Sequence, residues 1–251
     1  MDRCFVVDTE ALKEFDSDGI VIQNILKRFA KTSCDVVVKV NNLDNISKTK
    51  LVPGRILKIV PISSVERTRK WLKDVCKVDM PPIEIPQSLR KYSPSYQILK
   101  GSSVIEKGVA NSSFFIKRVD ELKSWNNLLY EGNVSHFIQK DALYSITRKQ
   151  KIVAEYRIFI CDDRIVACQP YVFNGLAFPN VRIIKEMIRD YTTQKRPKAY
   201  TLDVMVTDKN ETIPIEVHPF VACGLYGFED KKLLDMWEKG IDWYIGSKLQ
   251  H

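Results

Sequence analysis

The sequence predicts an α+β fold in which antiparallel sheet dominates the C-terminal half. Two pairs of strand-like segments, at residues 155–171 and 200–220, are each separated by a short polar turn. Helical periodicity appears between and after these pairs, at residues 181–191 and 231–245. Hydrophobic residues make up 45% of the chain and charged residues 28%, which excludes disordered and fibrous architectures.

The first eighty residues predict a smaller unit of mixed elements. Apolar runs and helical spacing alternate there: strands at 4–7, 35–40 and 55–60, and a helix at 20–30. A further helix should begin after Ser64, a favourable N-cap, and run to about Val75. The proline-rich stretch at 80–86 cannot be helical, so we expect a domain boundary near residues 80–95.

Elements beyond this boundary are richer in strand. The predicted elements are a strand at 113–117, a helix at 119–127, a strand at 136–140, a hairpin of 155–160 with 164–171, a helix at 181–191, a hairpin of 200–207 with 212–220, and a helix at 231–245. Asp162-Asp163 favours a tight turn in the first hairpin. The last helix carries one apolar stripe that includes Leu234, Trp237 and Ile241.

Composition narrows the class of protein. Lysine and arginine total 39 against 31 aspartate and glutamate, and the net charge of +8 favours a polyanionic partner such as nucleotide phosphate, nucleic acid or an acidic substrate. Six scattered cysteines without a C-x-x-C motif predict neither a zinc site nor disulfides. No apolar run approaches the ~20 residues that cross a bilayer, and the N-terminus does not resemble a secretion signal. We therefore expect a soluble, cytoplasmic protein that does not enter membranes.

The second hairpin carries the most informative pattern. A polar turn at 208–211 sets its register, and the predicted pairs are Thr207 with Thr212, Met205 with Pro214, Asp203 with Glu216, and Thr201 with His218. Because side chains alternate between faces, the opposite face is wholly apolar and consists of Leu202, Val204, Val206, Ile213, Ile215 and Val217. The apolar face should pack on the core, so the other face brings two carboxylates and an imidazole together.

Two like charges directly opposite each other destabilise a sheet. At ~4 Å, with an effective dielectric constant near 20, their repulsion is on the order of 4 kcal/mol. A cation between Asp203 and Glu216 would remove this cost, and Mg²⁺ commonly binds one or two carboxylates together with phosphate oxygens. The alternative is an exposed hairpin whose acids are solvated or paired with lysine or arginine.

Three other segments carry polar groups at strand ends or faces. Lys117 ends an apolar strand, where its ammonium could meet a phosphate. Residues 135–141 run from an apolar segment into polar residues. Glu155 and Arg157 share one face of a strand, with Tyr156 on the other. Each feature alone is common in proteins for structural reasons.

Taken in order, these segments resemble the ATP-grasp superfamily of ATP-dependent carboxylate–amine ligases, most closely its short, divergent clade from phages and bacteria. The resemblance covers about residues 85–245. It rests on the strand-end lysine at 114–117 and the following Lys123, the interdomain hinge at 135–141, the arginine-bearing strand at 155–159, the metal-binding hairpin at 201–206 and 213–218, and Gly224-Leu225-Tyr226-Gly227 before the final helix. His218 departs from the asparagine usual in the family, and Gln139 from a frequent glutamate.

The resemblance implies an ATP-grasp fold at residues 86–251, with a hinge near 139–141, preceded by a smaller α/β lobe at 1–85. ATP would bind between two lobes and Mg²⁺ would bridge its β- and γ-phosphates. The implied site residues are Lys117, Lys123, Gln139, Lys140, Asp141 and Glu155 for ATP, Asp203, Glu216 and His218 for Mg²⁺, and Arg157 with Lys117 for catalysis. A substrate carboxylate would attack the γ-phosphate, and an amine would capture the acyl phosphate. Either substrate is a small molecule, a peptide or a protein.

Two other hypotheses fit the basic composition. The first is a nucleotidyltransferase or nucleic-acid ligase adenylated on Lys117, although the usual K-x-D-G motif is absent because Arg118 and Val119 follow this lysine. The second is a non-catalytic nucleic-acid-binding module that uses basic clusters at 67–70 and 148–151. Familiar RNA-binding modules interleave basic residues with an aromatic platform, and this sequence lacks one. A nucleic acid is therefore not the favoured partner.

Overall fold

The N-terminal part folds as a mixed sheet with helices packed against it. A computed structural model describes residues 2–14, 16–30, 35–44, 46–47, 49–52, 55–81, 84–93, 95–121, 132–221 and 223–246. The elements of this part are β1 (Asp2–Asp8), α1 (Thr9–Glu14), α2 (Asp16–Ile25) with a π-helical turn (Leu26–Ala30), β2 (Val36–Val40), β3 (Thr49–Val52), β4 (Arg55–Ile62) and α3 (Val65–Cys76). The strand order is β2-β1-β4-β3, with β1 parallel to β2 and β4. This is the expected α/β lobe, and the side chain of Ser64 caps α3 as predicted.

A small antiparallel sheet follows. Its elements are a 3₁₀ helix (Gln87–Tyr92), β5 (Gln97–Lys100), α4 (Gly101–Glu106), β6 (Phe114–Arg118), a 3₁₀ turn (Ser135–Phe137) and β7 (Leu143–Arg148). The strand order is β5-β7-β6. Ile116, Tyr144 and Ile146 pack on one face of this sheet with Val104 of α4. Lys117, next to the buried Ile116, points to the opposite face because side chains alternate along a strand.

The largest sheet is antiparallel and holds both predicted hairpins. Its elements are β8 (Ile152–Cys161), β9 (Arg164–Val172), α5 (Val181–Tyr191), β10 (Ala199–Thr207), β11 (Thr212–Pro219) and the final helix α6 (Lys232–Gly246). The strand order is β11-β10-β8-β9. Asp162 and Asp163 both have positive φ, at 49° and 60°, as a two-residue hairpin turn of this type requires. The predicted helices at 181–191 and 231–245 are present within a residue.

Helix α5 and helix α6 cover different parts of the large sheet. Ile184 and Met187 of α5 pack on Ile158 and Leu202. On the other side, Phe159 packs with Trp237 of α6 and with residues of the N-terminal lobe such as Phe5. The division into residues 1–85 and 86–251 stays a prediction.

A β-bulge makes one predicted pair of the second hairpin wrong. The register shifts between Asp203 and Val204, so Met205 lies opposite Ile213 and not Pro214. Ile215 is the extra residue, and beyond it Thr212 and Pro214 are buried while Ile213 is only half-buried. The predicted apolar face is therefore correct for β10 but wrong for Ile213 and Ile215, because a bulge shifts the alternation of one strand against its partner.

Two predictions between residues 119 and 140 need comment. The strand predicted at 136–140 is wrong: Phe137 and Ile138 donate backbone hydrogen bonds to Val134 and Ser135, which makes a single 3₁₀ turn. Of the helix predicted at 119–127, only residues 119–121 are described, and they are not helical. Its remainder lies outside the described residues. No helix in the described part of the chain has the length and apolar character of a membrane span.

Candidate active site

Two carboxylates face each other across β10 and β11, as the sequence predicts. Asp203 lies opposite Glu216, and Thr201 lies opposite His218. One ligand atom from each of Asp203, Glu216 and His218 lies within 4.8 Å of the other two. The bulge begins immediately after Asp203, so it leaves this part of the register unchanged.

Asp203 is held by a buried arginine from the neighbouring strand. Arg157 on β8 is its direct partner, and Nε and Nη2 donate to Oδ1 and Oδ2 over 2.9 and 2.7 Å. The two side chains are only 8% and 2% exposed. Burial by itself lowers the pKa of Arg157, but the hydrogen bond and charge of Asp203 raise it well above its usual value. The arginine is therefore a fixed cation beside the carboxylate pair.

Glu216 has two partners of its own. Lys117 Nζ of the small sheet lies 2.8 Å from Oε2, and His218 Nε2 lies 2.7 Å from Oε1. Burial by itself raises the pKa of Glu216, but His218 and Lys117 together hold it well below its usual range. Glu216 is therefore ionised at neutral pH, and the two sheets meet at its side chain.

The two carboxylates fit a hard divalent cation. A carboxylate has about four lone-pair positions, and the hydrogen bonds described here occupy two on each of Asp203 and Glu216. Oxygen ligands of this kind suit Mg²⁺. The imidazole of His218 suits softer metals better and is already bonded to Glu216.

Comparison with known proteins decides the family. A family model described as an ATP-grasp domain, the second family of its clade, matches residues 100–236, which is more than half of the chain. The chain belongs to this ATP-grasp family. The expected superfamily and fold are confirmed. No curated protein matches the sequence.

Solved ATP-grasp structures resemble the whole chain. The ligase PsnB complexed with minimal precursor aligns with a TM-score of 0.55 at 11% identity, over 96% of this chain and 100% of its own. D-alanine–D-alanine ligase from Bacillus anthracis aligns at 0.56 and 13%, over 98% and 100%. N5-carboxyaminoimidazole synthetase from Staphylococcus aureus aligns at 0.54 and 10%, over 97% and 77%. At such identities the likeness concerns the fold.

The remaining ATP-grasp site residues of the sequence analysis lie in three places. Glu155 is on β8, where burial raises its pKa, Tyr171 lowers it by a hydrogen bond, and the charges of Asp203 and Glu216 raise it further. Gln139, Lys140 and Asp141 lie between the 3₁₀ turn and β7. There the backbone of α4 donates to the carbonyls of Lys140 and Ala142 over 2.9 Å. Lys123 lies outside the described residues.

The sequence analysis missed Glu84 beside this site. Its carbonyl accepts a hydrogen bond from Val217, so the residue lies along the outer edge of β11. Its carboxylate accepts from Tyr96, and its Oε1 is buried with no hydrogen-bond partner among the described residues. Burial raises the pKa of Glu84. A glutamate within a proline-rich stretch was the available signal, but the prolines indicated only a connection.

Sequence analysis also gave no role to two aromatic residues near Arg157. The ring centroids of Tyr171 and Tyr226 lie 5.9 and 5.2 Å from its guanidinium carbon. Gly224 accepts a hydrogen bond from Nη1 over 3.1 Å. These residues join β8 only through long-range contacts, which no local pattern reveals.

Proposed function

We propose that the protein is an ATP- and Mg²⁺-dependent ligase that joins a carboxylate to an amine and releases ADP and phosphate. The observation that carries this proposal is the convergence of Asp203, Glu216, Arg157 and Lys117 from four strands of two sheets on one place. Two anions and two cations so arranged suit a metal-bound triphosphate. Membership of the ATP-grasp family supports the same chemistry.

Asp203 and Glu216 are the residues that would hold Mg²⁺ in this proposal. When bound, the ion neutralises phosphate charge and polarises the phosphoryl group. His218 would keep Glu216 oriented through its 2.7 Å contact. Because Glu216 is ionised well below neutral pH, the pair needs no proton loss before it binds a cation.

Arg157 and Lys117 would bind the phosphates. Arg157 is fixed by Asp203 and could stabilise charge on the transferring group, a role in which arginines supply ~10³–10⁵ in rate. Lys117 pairs with Glu216 in this structure, so nucleotide binding would exchange a carboxylate partner for a phosphate. Gln139, Lys140, Asp141 and Glu155 complete the proposed nucleotide site.

The proposed reaction has two steps. A carboxylate oxygen of the substrate attacks the γ-phosphorus, the bond to the bridging oxygen breaks, and ADP leaves. The amine nitrogen then attacks the acyl carbon, loses a proton, and phosphate leaves with the former carboxylate oxygen. Both steps need positioning and charge neutralisation more than covalent participation by the protein.

Product analysis tests this function. The purified protein, ATP and Mg²⁺ are incubated with cell-extract metabolites and peptides, and new condensation products are sought by mass spectrometry, with Glu216→Gln as the matched control. We expect ADP and phosphate to form together with a product that is absent from the control. AMP and pyrophosphate would instead favour adenylation of Lys117, and neither pair of products would refute ligation.

A further inference from the structure

Tyr226 adopts a backbone conformation that few bulky residues adopt. Its φ is 50°, in the left-handed region, and the following Gly227 has a φ of 82°. A tyrosine there is strained, and such strain persists only when the surroundings hold it. Since 42% of Tyr226 is exposed, burial in the core is not what holds it.

The ring of Tyr226 lies against the guanidinium of Arg157. The distance from its centroid to the guanidinium carbon is 5.2 Å, within the range of cation–π attraction. The ring also stacks on Tyr171, with centroids 5.2 Å apart and planes at 22°. Tyr171 itself lies 5.9 Å from the guanidinium carbon. Two stacked rings therefore flank the arginine.

The backbone before Tyr226 completes this arrangement. Gly224 accepts a hydrogen bond from Arg157 Nη1, and Leu225 donates to Asp18 Oδ2 over 2.6 Å, which ties the segment to the N-terminal lobe. A Cβ atom at Gly224 would lie 2.9 Å from Cζ of the Tyr226 ring and 3.1 Å from its hydroxyl oxygen. Residue 224 must therefore be glycine for the ring to lie where it does.

The geometry points to Tyr226 as a positioning residue for Arg157, which its ring holds in the orientation that meets the transferring phosphoryl group. This role rests on the proposed function of Arg157. Asp203 fixes one edge of the guanidinium, Gly224 accepts from another nitrogen, and Tyr226 limits tilting of the plane. The strained backbone of residue 226 is the conformation that brings the ring to this place.

Two substitutions separate the ring from the backbone turn. Tyr226→Phe keeps the ring, and Tyr226→Asn removes it while suiting the left-handed conformation better than tyrosine does. If residue 226 merely completes a turn, asparagine should work at least as well as tyrosine. If the ring positions Arg157, phenylalanine should work and asparagine should fail.

Kinetics, binding and stability are measured on each variant. We expect kcat to fall about 10- to 100-fold in Tyr226→Asn and to stay within threefold of wild type in Tyr226→Phe, since small misplacement of a catalytic group has costs of this size. The Kd of a non-hydrolysable ATP analogue with Mg²⁺ should stay within twofold, and the melting temperature should change little. An unchanged kcat in Tyr226→Asn, an equal loss in Tyr226→Phe, or a joint loss of kcat, affinity and stability overturns the role.

Gly224→Ala provides a second, independent variant. Its methyl group should displace the ring and lower kcat as Tyr226→Asn does, with no further loss when the two are combined, because the ring is then already gone. Gly175→Ala is the matched control, since its Cβ would meet Phe173 at an ordinary 3.6 Å. Additive losses overturn the inference alone. A wild type that neither binds nor hydrolyses ATP overturns the proposed function and this role with it.

Discussion

The pairing of Arg157 with Asp203 gives the site both a fixed cation and a structural constraint. The pair is buried and joined by two hydrogen bonds, so removing one partner leaves a buried charge without compensation. The same carboxylate has to serve the proposed metal. Stability and activity are therefore coupled at Asp203, and experiments on this residue need a measurement of each.

Arg157→Met should lower the free energy of unfolding by about 3–5 kcal/mol, because Asp203 then remains buried and unpaired. The double variant Arg157→Met, Asp203→Leu should recover part of this loss. Urea denaturation followed by circular dichroism measures both. A double variant as unstable as the sum of the single ones would show that the pair contributes no coupling energy.

Glu155→Gln should stabilise the protein near pH 7.5 and have little effect near pH 4. Burial raises the folded pKa of Glu155 above its ordinary value of 4.5. The folded state then binds this proton more tightly than the unfolded state, so stability falls as pH rises from about 4.5 through the folded pKa. Melting temperatures between pH 4 and 8 test this, with Glu186→Gln on α5 as control. Equal effects at both ends of the range would contradict it.

The facing pair of Asp203 and Glu216 could be predicted because a short turn and strict alternation determine a hairpin's register. The partner of Arg157 could not. The sequence placed Arg157 beside Glu155 on one strand, whereas its partner lies on β10, more than forty residues later in the chain. Pairing between strands distant in sequence leaves no local pattern, and Glu84 was missed for the same reason.

At the scale of elements, helix α4 and the proposed hinge form a close contact. A Cβ atom at Gly101 would lie 2.0 Å from the carbonyl oxygen of Gln139, and the backbone of Ser102 donates to Lys140. The first turn of α4 therefore sets the position of residues 139–141. In the proposed function these residues border the nucleotide base.

Gly101→Ala should weaken nucleotide binding although residue 101 has no proposed contact with the nucleotide. The added methyl group must displace Gln139, and we expect the Kd of an ATP analogue to rise about tenfold, or about 1.4 kcal/mol. Isothermal titration calorimetry measures this, with Gly175→Ala as control. A Kd within twofold of wild type, in a variant shown to be folded, would remove this segment from the nucleotide site.

Long periodic elements were predicted better than short ones. Helices α5 and α6 and strands β8 to β11 follow clear periodicity over eight to fifteen residues. The four-residue strand β5 and the 3₁₀ turn at Ser135–Phe137 are too short for periodicity to distinguish them. The bulge at Ile215 escaped for a related reason, because one inserted residue leaves an apolar pattern almost unchanged.

At the scale of the whole molecule, the lobes share cores instead of standing apart. Phe5 of the N-terminal sheet packs in one cluster with Phe159 and Trp237, and the backbone of Phe220 would lie 1.6 Å from a Cβ atom at Gly240 of α6. A ligand that binds the large sheet should therefore stabilise the N-terminal lobe too. The net charge of +8 favours an anionic ligand such as a nucleotide.

ATP with Mg²⁺ should raise the melting temperature of the whole chain in one transition. At a ligand concentration of about 100 times Kd, the stabilisation is about 2.7 kcal/mol, and for a chain of this size that corresponds to roughly 5–10 °C. Differential scanning calorimetry measures the shift. Two transitions, of which only one moves, would show that the lobes unfold independently.

The dependence of nucleotide affinity on Mg²⁺ tests the central claim, that Asp203 and Glu216 hold a metal-bound triphosphate. The Kd of a non-hydrolysable ATP analogue is measured by calorimetry with Mg²⁺ and with EDTA, for wild type and Glu216→Gln. We expect the wild type to bind at least tenfold more tightly with Mg²⁺ and the variant to lose that difference while remaining folded. Equal affinity with and without Mg²⁺ in the wild type, or a full Mg²⁺ effect in the variant, would contradict the account.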